Sequence, residues 1–295
     1  MGDAVGLLTI VDDMPDAAYP ADLVIDRATP DDWATAVGWA AAEGWNPGDG
    51  DVSAFFAQDP HGFFLGRVDG EPISAVSVVN YGSEFAFLGF YLVHPELRGR
   101  GLGLATWRAG LEHAGSRVVG LDGVPGQRHN YRRSGFELAY HSARFEGVPQ
   151  LPPPDNTVRA LHPADIADVH AYDSSCLPAD RPAFLAAWLS DPGHRTVVRV
   201  VEGALTGVGT VRLARDCLRI GPLFADTATD ARQLLAALAA GAAVAIDVPL
   251  CNEAAVRLVE EAGLKPGFET ARMYTGPVRT HCLNRVFGVT TFELG

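Results

Sequence analysis

The stretch Val93-His-Pro-Glu-Leu-Arg98-Gly99-Arg100-Gly101-Leu102-Gly103-Leu104 decides how the rest of the chain is read. It follows a run of aromatic and aliphatic residues, FAFLGFYLV, that reads as a strand ending at Val93. It opens a helix that continues through Ala105, Trp107, Leu111 and Ala114. Three of the six residues from Arg98 to Gly103 lack a side chain. Glycine lets the backbone turn sharply and lets a ligand reach the amides without meeting a Cβ. A strand, a glycine loop and a helix start together present unpaired N–H donors and the positive end of a helix dipole. That arrangement binds anions, a phosphate or pyrophosphate above all.

The spacing narrows the ligand. Gly99, Gly101 and Gly103 alternate, which fits neither the P-loop nor the dinucleotide fingerprint. The pattern Arg-x-x-Gly-x-Gly, preceded by Val93-x-Pro95, closely resembles the acetyl-CoA loop of the GNAT family of N-acetyltransferases. The resemblance implies that the pyrophosphate sits on Arg98, Gly99, Arg100, Gly101, Leu102, Gly103 and Leu104.

Composition sets limits on this reading. The chain has 295 residues, 47% of them hydrophobic, which is long for one domain. Its net charge of −13 and pI near 5.0 argue against a nucleic-acid partner. Cys176, Cys217, Cys251 and Cys282 form no CxxC pair, so reduced structural thiols in a cytoplasmic protein are expected, with no metal. Residues 1–20 read as an extension without the basic n-region of a signal peptide. The longest apolar run, Leu234 to Ile246, is too short to span a bilayer, so no membrane association is expected.

In order, the chain predicts a strand at Leu23–Arg27, then a helix over 32–43 capped by Thr29, Pro30 and Asp31. A second helix follows over 52–58. Strands at 63–68 and 73–80 are joined through Asp69-Gly70, and strand 85–93 follows. After the helix that starts at Leu102 come strand 118–122, a short helix over 127–134 and strand 136–145. This is the order of the GNAT fold, a mixed α/β (α+β) sheet, largely antiparallel and flanked by helices.

Pro149 to Pro154, PQLPPP, then marks a linker over 149–156. Beyond it the pattern starts again at an offset of about 130 residues, the signature of a duplicated domain. Pro30, Asp32 and Ala34 return as Pro163, Asp165 and Ala167. Asp59-Pro60 returns as Asp191-Pro192, and Asp69-Gly70 as Glu202-Gly203. Gly89 matches Gly221, Leu121-Asp122 matches Ile246-Asp247, Gly135-Phe136 matches Gly263-Leu264, and Ala143-Arg144 matches Ala271-Arg272. Two tandem GNAT folds are expected, over 1–148 and 157–295.

The copies differ where chemistry would occur. Where the first has RGRGLG, the second has ADTATDAR, which offers no glycine and two acidic residues to a pyrophosphate. GNAT proteins often carry an Asn, an Ala three residues on, and a Tyr four residues before a Gly-Phe. The first copy keeps the tyrosine, Tyr131, but has Val124 at the Asn position. The second keeps Asn252 and Ala255 but has Val259 at the Tyr position. The chain thus resembles tandem GNAT proteins with a divergent second domain.

The resemblance implies direct attack of an acceptor amine on the thioester of acetyl-CoA in a ternary complex. A backbone N–H near Leu92 or Val93 would hold the oxyanion, with pantetheine lying where strands four and five part. Tyr131 would protonate the leaving thiolate, since a phenol's pKa of about 10 lies above a thiol's at about 8.5. No base stands on the cleft face counted back from Val93 (Tyr91, Gly89, Phe87), because side chains alternate. Glu84 would need a bulge to reach the site, and Asp122 recurs as Asp247 in the copy without the loop, which points to a structural role. Glu43, beside Trp45 and Asn46, remains as a candidate for the base, with Trp45, Asn46 and Tyr91 around the acceptor, and a base relayed through water would also suffice for a small amine. Arg128, Arg132 and Arg133 could reach the adenosine 3′-phosphate. A small-molecule amine is the expected acceptor, taken by a monomer or homodimer. The other class is a non-catalytic acyl-CoA sensor.

Overall fold

The computed structural model describes residues 22–295, so the extension at 1–20 lies outside the described residues. The first repeat runs β1 (Val24–Arg27), α1 (Pro30–Ala42), α2 (Asp51–Gln58), β2 (Phe63–Val68), β3 (Glu71–Tyr81), β4 (Phe85–Val93), α3 (Leu102–Ala114), β5 (Val118–Gly123), α4 (Arg128–Arg133) and β6 (Glu137–Gly147). The second runs β7 (Val158–Ala160), α5 (Ile166–Cys176), α6 (Pro182–Ser190), β8 (His194–Val201), β9 (Ala204–Leu213), β10 (Leu218–Ala225), α7 (Ala228–Ala239), β11 (Val244–Pro249), α8 (Glu253–Glu261) and β12 (Lys265–Tyr274), followed by a short β13 (Val286–Gly288).

Local chemistry accounts for many boundaries. Thr29 and Asp32 form a reciprocal capping box at the start of α1, with proline in the first turn. The hairpin turns Asp69-Gly70 and Glu202-Gly203 both hold two consecutive left-handed residues, as the twist of a tight hairpin requires.

The two repeats do not build two sheets. All the strands join one, in the order β1-β2-β3-β4-β5-β12-β6-β11-β10-β9-β8-β7, with β13 alongside β10. The repeats have exchanged their last long strands: β12 pairs with β5 of the first repeat, and β6 with β11 of the second. β6 and β12 pair with each other at the centre. The linker therefore separates the repeats in sequence, while each half of the sheet is completed by the other.

The exchange has a chemical counterpart. Arg272 of β12 lies directly across from Asp122 of β5 and meets both its carboxylate oxygens, at 2.8 and 2.6 Å. Arg144 of β6 lies across from Asp247 of β11 and does the same, at 2.8 and 3.2 Å. These are the residues that recur between the copies. Asp122 thus has the structural role its recurrence implies, and its work is to bind a strand of the other repeat. Arg272 also lies over the rings of Phe87 and Tyr140, which cover it from water.

Packing divides by face. On one face, α1, α2, α5 and α6 share a single core in which Trp33, Phe55 and Phe90 of the first repeat meet Phe184, Trp188 and Phe224 of the second. On the other face there are two cores. One lies under α3 and takes in Ala271 and Met273 from β12. The other lies under α7 and α8 and takes in Ala143 and Phe145 from β6.

Removing one member of a buried ion pair strands the other, at a cost of about 3–5 kcal/mol, whereas apolar replacement of both is often neutral. Asp122→Asn should therefore lower unfolding stability in urea by about that amount, and Asp122→Leu combined with Arg272→Met should recover most of it. A single variant as stable as wild type would show that the bridge does not hold the exchange.

Candidate functional site

The glycine loop follows β4 through a single 3₁₀ turn at Pro95–Leu97. Arg98 folds back, donating from Nε to the Val93 carbonyl at 3.0 Å and from Nη2 to Glu43. Gly99 and Gly101 both have left-handed φ, +73° and +74°, which an L side chain rarely adopts. Gly101 caps α3 without any side-chain bond, and a Cβ there would meet nothing within 4 Å. The helix start is thus open and its first-turn amides have no side-chain cap. Gly103 acts differently. A Cβ at that position would stand 2.5 Å from Val93 and 2.6 Å from the Tyr91 hydroxyl, so this glycine lets α3 close onto β4. Leu102 is buried beneath the helix, Leu104 is half-buried and Arg100 is exposed.

β4 and β5 run parallel from Phe85↔Val118 to Leu88↔Leu121, and no pairing continues beyond that register. A cleft of about 570 Å³, including its open mouth, occupies the gap. β4 also carries a bulge: its register on β3 shifts between Ala75 and Ser77, and Phe90 sits at φ +47°. A bulge inserts a residue and reverses the alternation of faces. Phe87, Phe90 and Leu92 consequently share the core under α1, whereas Leu88 and Tyr91 lie on the α3 side. The alternation counted back from Val93 stops at this bulge, so Phe87 does not share a face with Tyr91. The cleft is lined by Leu88, Gly89, Phe90 and Tyr91, with Leu92 in the core and Val93 against the Gly103 position.

Tyr131 of α4 lines the same cleft. A Cβ on Gly123 would come within 2.1 Å of its ring, so a glycine on β5 is what admits the tyrosine. The ring stacks on Trp107 with centroids 5.9 Å apart. Burial pushes its phenol well above the usual range, which keeps the proton on the oxygen.

The other expected residues divide. Trp45 lines the cleft, and its carbonyl accepts from Arg144 at 2.7 Å and Arg219 at 3.2 Å. Asn46, left-handed at φ +49° and buried, offers its carbonyl to Arg219 at 3.1 Å and faces Cys217. It therefore braces the two repeats against each other. Glu43 ends α1, and its carboxylate is paired with Arg98, so it supports the loop. Glu84 is exposed at the turn before β4. Arg128 lies 3.4 Å from His141, and Arg132 is exposed.

Four further cleft residues come from the second repeat: Phe268 and Thr270 of β12, and Phe292 and Glu293 of the final segment. The exchange of β12 brings in Phe268 and Thr270, and the segment after β13, which crosses Gly89, brings in Phe292 and Glu293. The recurrence of Gly89 as Gly221 was the available signal. A Cβ at Gly89 would fall 2.1 Å from the Glu293 carbonyl, and one at Gly221 2.3 Å from the Thr290 carbonyl. The same segment crosses both glycines.

In the second repeat the equivalent features are filled. Thr227 caps α7, accepting from the Asp230 amide at 3.2 Å, and Asp230 is paired with Arg199. The gap between β10 and β11 holds β13, with the Val289 amide donating to the Asp247 carbonyl at 2.8 Å. Asn252 caps α8 and donates to the carbonyls of Asn284 and Val286, at 3.1 and 3.0 Å, which pins this insert.

A family model described as "Acetyltransferase (GNAT) family" matches residues 26–136, and one described as "Acetyltransferase (GNAT) domain" matches residues 169–288. A holothin acyltransferase of Pseudoalteromonas sp. (strain SANK 73390) is 35% identical over 275 residues, covering 91% of this chain and 93% of that protein. The chain belongs to the GNAT family of acyltransferases. A putative acetyltransferase of Pyrococcus horikoshii shares this GNAT chain's fold over 96% of its length and 99% of that chain, with a TM-score of 0.81 at 23% identity. A tandem GNAT protein from the clavulanic acid biosynthesis pathway matches over 87% of this chain and 99% of that chain, with a TM-score of 0.61 at 16% identity. No helix among the described residues is long and apolar enough to cross a membrane.

Gly101→Glu should abolish acyl-CoA binding in calorimetry while costing only about 1–2 kcal/mol in backbone strain, since its surroundings are open. Glu43→Gln should weaken acyl-CoA binding by releasing Arg98. Loss of acceptor affinity alone in that variant would return Glu43 to the acceptor site.

Proposed function

We propose that this GNAT protein transfers the acetyl group, or another short acyl group, from coenzyme A to the amine of a small, largely apolar acceptor. The observation that carries the reading is the single cleft between β4 and β5, which lies beside the open α3 loop and has Tyr131 in its wall. The open space at Gly101 and the helix start without a side-chain cap suit a pyrophosphate. The second repeat offers neither an open loop nor a gap, so one coenzyme per chain is expected.

The cleft can support direct attack. Pairing of β4 with β5 stops at Leu88 and β4 bulges at Phe90, so the strand borders the cleft there without a β5 partner, and a backbone N–H of this stretch would meet the thioester carbonyl. A fixed N–H aimed at the developing oxyanion stabilises it more than it stabilises the ground state. As the C–S bond breaks, the Tyr131 hydroxyl gives its proton to the departing sulfur. On the acceptor side, Trp45, Phe268 and Phe292 offer flat apolar surface, which suits a compact molecule better than an extended polypeptide. That a relative is a holothin acyltransferase supports acyl transfer as the reaction.

Incubation with acetyl-CoA and a panel of small amines, following thiol release, tests the reading directly. Tyr131→Phe should reduce single-turnover rate by about 10²–10⁴-fold with acetyl-CoA affinity unchanged. Two coenzyme sites per chain, or an unaltered Tyr131→Phe rate, would contradict it.

A further inference from the structure

We propose that Glu293, delivered by the final segment of the second repeat, is the group that takes the proton from the acceptor's amine. The inference rests on the acyltransferase reading of the same cleft and supplies its missing base.

Position is the first reason. The segment after β13 is clamped along its path. Thr290 accepts from Arg181 at 2.8 Å, the Leu294 amide donates to Thr291 at 2.9 Å, and Tyr81 donates to the Leu294 carbonyl at 3.1 Å. Between these anchors the Glu293 backbone rests on Gly89, where even a methyl group would collide with it. Glu293 lines the cleft there, beside the Phe90 bulge, where the thioester carbonyl is expected, with Arg144 in the same wall.

Availability is the second. The cleft is lined by two carboxylates among the described residues, Asp122 and Glu293. Both oxygens of Asp122 are held by Arg272. Glu293 faces Arg144 of β6 and Arg219 of β10, with Asp247 of β11 and Asp51 of α2 beyond them. The arginines are engaged elsewhere: Arg144 with Asp247 and the Trp45 carbonyl, Arg219 with Asp247 and the Trp45 and Asn46 carbonyls. They give Glu293 a favourable field without tying it up. Burial pushes its carboxyl pKa up and the two arginines pull it down, with burial prevailing, which makes it a better proton acceptor than an exposed glutamate.

The proton count closes. The acceptor ammonium gives one proton to Glu293, and the freed lone pair forms the C–N bond with the acyl carbon. When the C–S bond breaks, Tyr131 protonates the sulfur and is reprotonated by the second proton leaving nitrogen. Glu293 then returns its proton to water. The products are the amide, the free thiol of coenzyme A and one proton.

Glu293→Gln keeps the shape and removes the acceptor for the proton. The expected result in the full chain is a kcat lower by about 10²–10⁴-fold, with acetyl-CoA affinity by calorimetry unchanged. The pH profile of kcat/KM should lose its acidic limb and instead rise as the acceptor amine itself deprotonates. A thermal melt checks folding. If the amide is not tolerated, Glu293→Asp, which keeps the charge but withdraws it by one methylene, carries the test and should retain the limb at reduced kcat. Wild-type kcat and an intact limb in Glu293→Gln, or unchanged kcat in Glu293→Asp, would overturn the assignment while leaving the acyltransferase reading in place. Absence of thiol release by the wild-type protein with any amine would overturn both.

Discussion

Two aspartate–arginine bridges hold this molecule in its unusual connectivity. A carboxylate and a guanidinium removed from water are costly unless each fully satisfies the other. Asp122 and Asp247 sit on the innermost original strands of the two halves; Asp122 is met on both oxygens by Arg272 of the other repeat, and Asp247 by Arg144 of the other repeat together with Arg219 of its own β10. Each bridge ties a strand of one repeat to a strand of the other. The consequences reach the cleft. Arg272 fixes β12, and with it Phe268 and Thr270, beside β5. Arg144 donates from Nη1 to the Trp45 carbonyl and so fixes the opposite wall.

Much of the architecture is written in short-range chemistry and was therefore legible. The loop at Arg98–Gly103, the capping box at Thr29 and the hairpin turns at Asp69-Gly70 and Glu202-Gly203 each depend on residues within a few positions of one another. The exchange is not of that kind. β6 and β12 carry the same Ala-Arg pair in the same place, so either strand satisfies either aspartate and the sequence is silent on which does. The bulge is similarly hidden. Phe90 adopts a left-handed backbone that phenylalanine does not ordinarily favour, so nothing in its identity announces it. Strict alternation from Val93 therefore misjudged the faces of β4. Glu43 pairs with Arg98, 55 residues away in sequence, so the residues around it do not show that its carboxylate is engaged. Glu293 was out of view because it lies two hundred residues from the strand it touches.

The divergence of the second repeat is constructive. Its loop became an ordinary capped helix start, with Thr227 and Asp230 meeting the needs a phosphate would otherwise meet. Its inter-strand gap accepted β13, and its Asn252 turned to holding that insert. A slot that no longer takes a ligand instead anchors a peptide segment. The far end of that segment then lines the neighbouring slot that has stayed open.

The exchanged strands also bear on the order in which the protein comes into being. A chain emerging from the ribosome presents β5 long before β12 exists, so the strand that finally pairs with Asp122 reaches it only after the second repeat is made. Contacts between residues so distant in sequence form slowly and leave an aggregation-prone edge in the meantime. The first repeat cannot reach its final pairing during its own synthesis, and genetic separation of the repeats would remove from each the strand that now closes it. Duplication joined in this way ties the copies together: loss of either would take a strand from the other's half of the sheet, even though only one retains the loop.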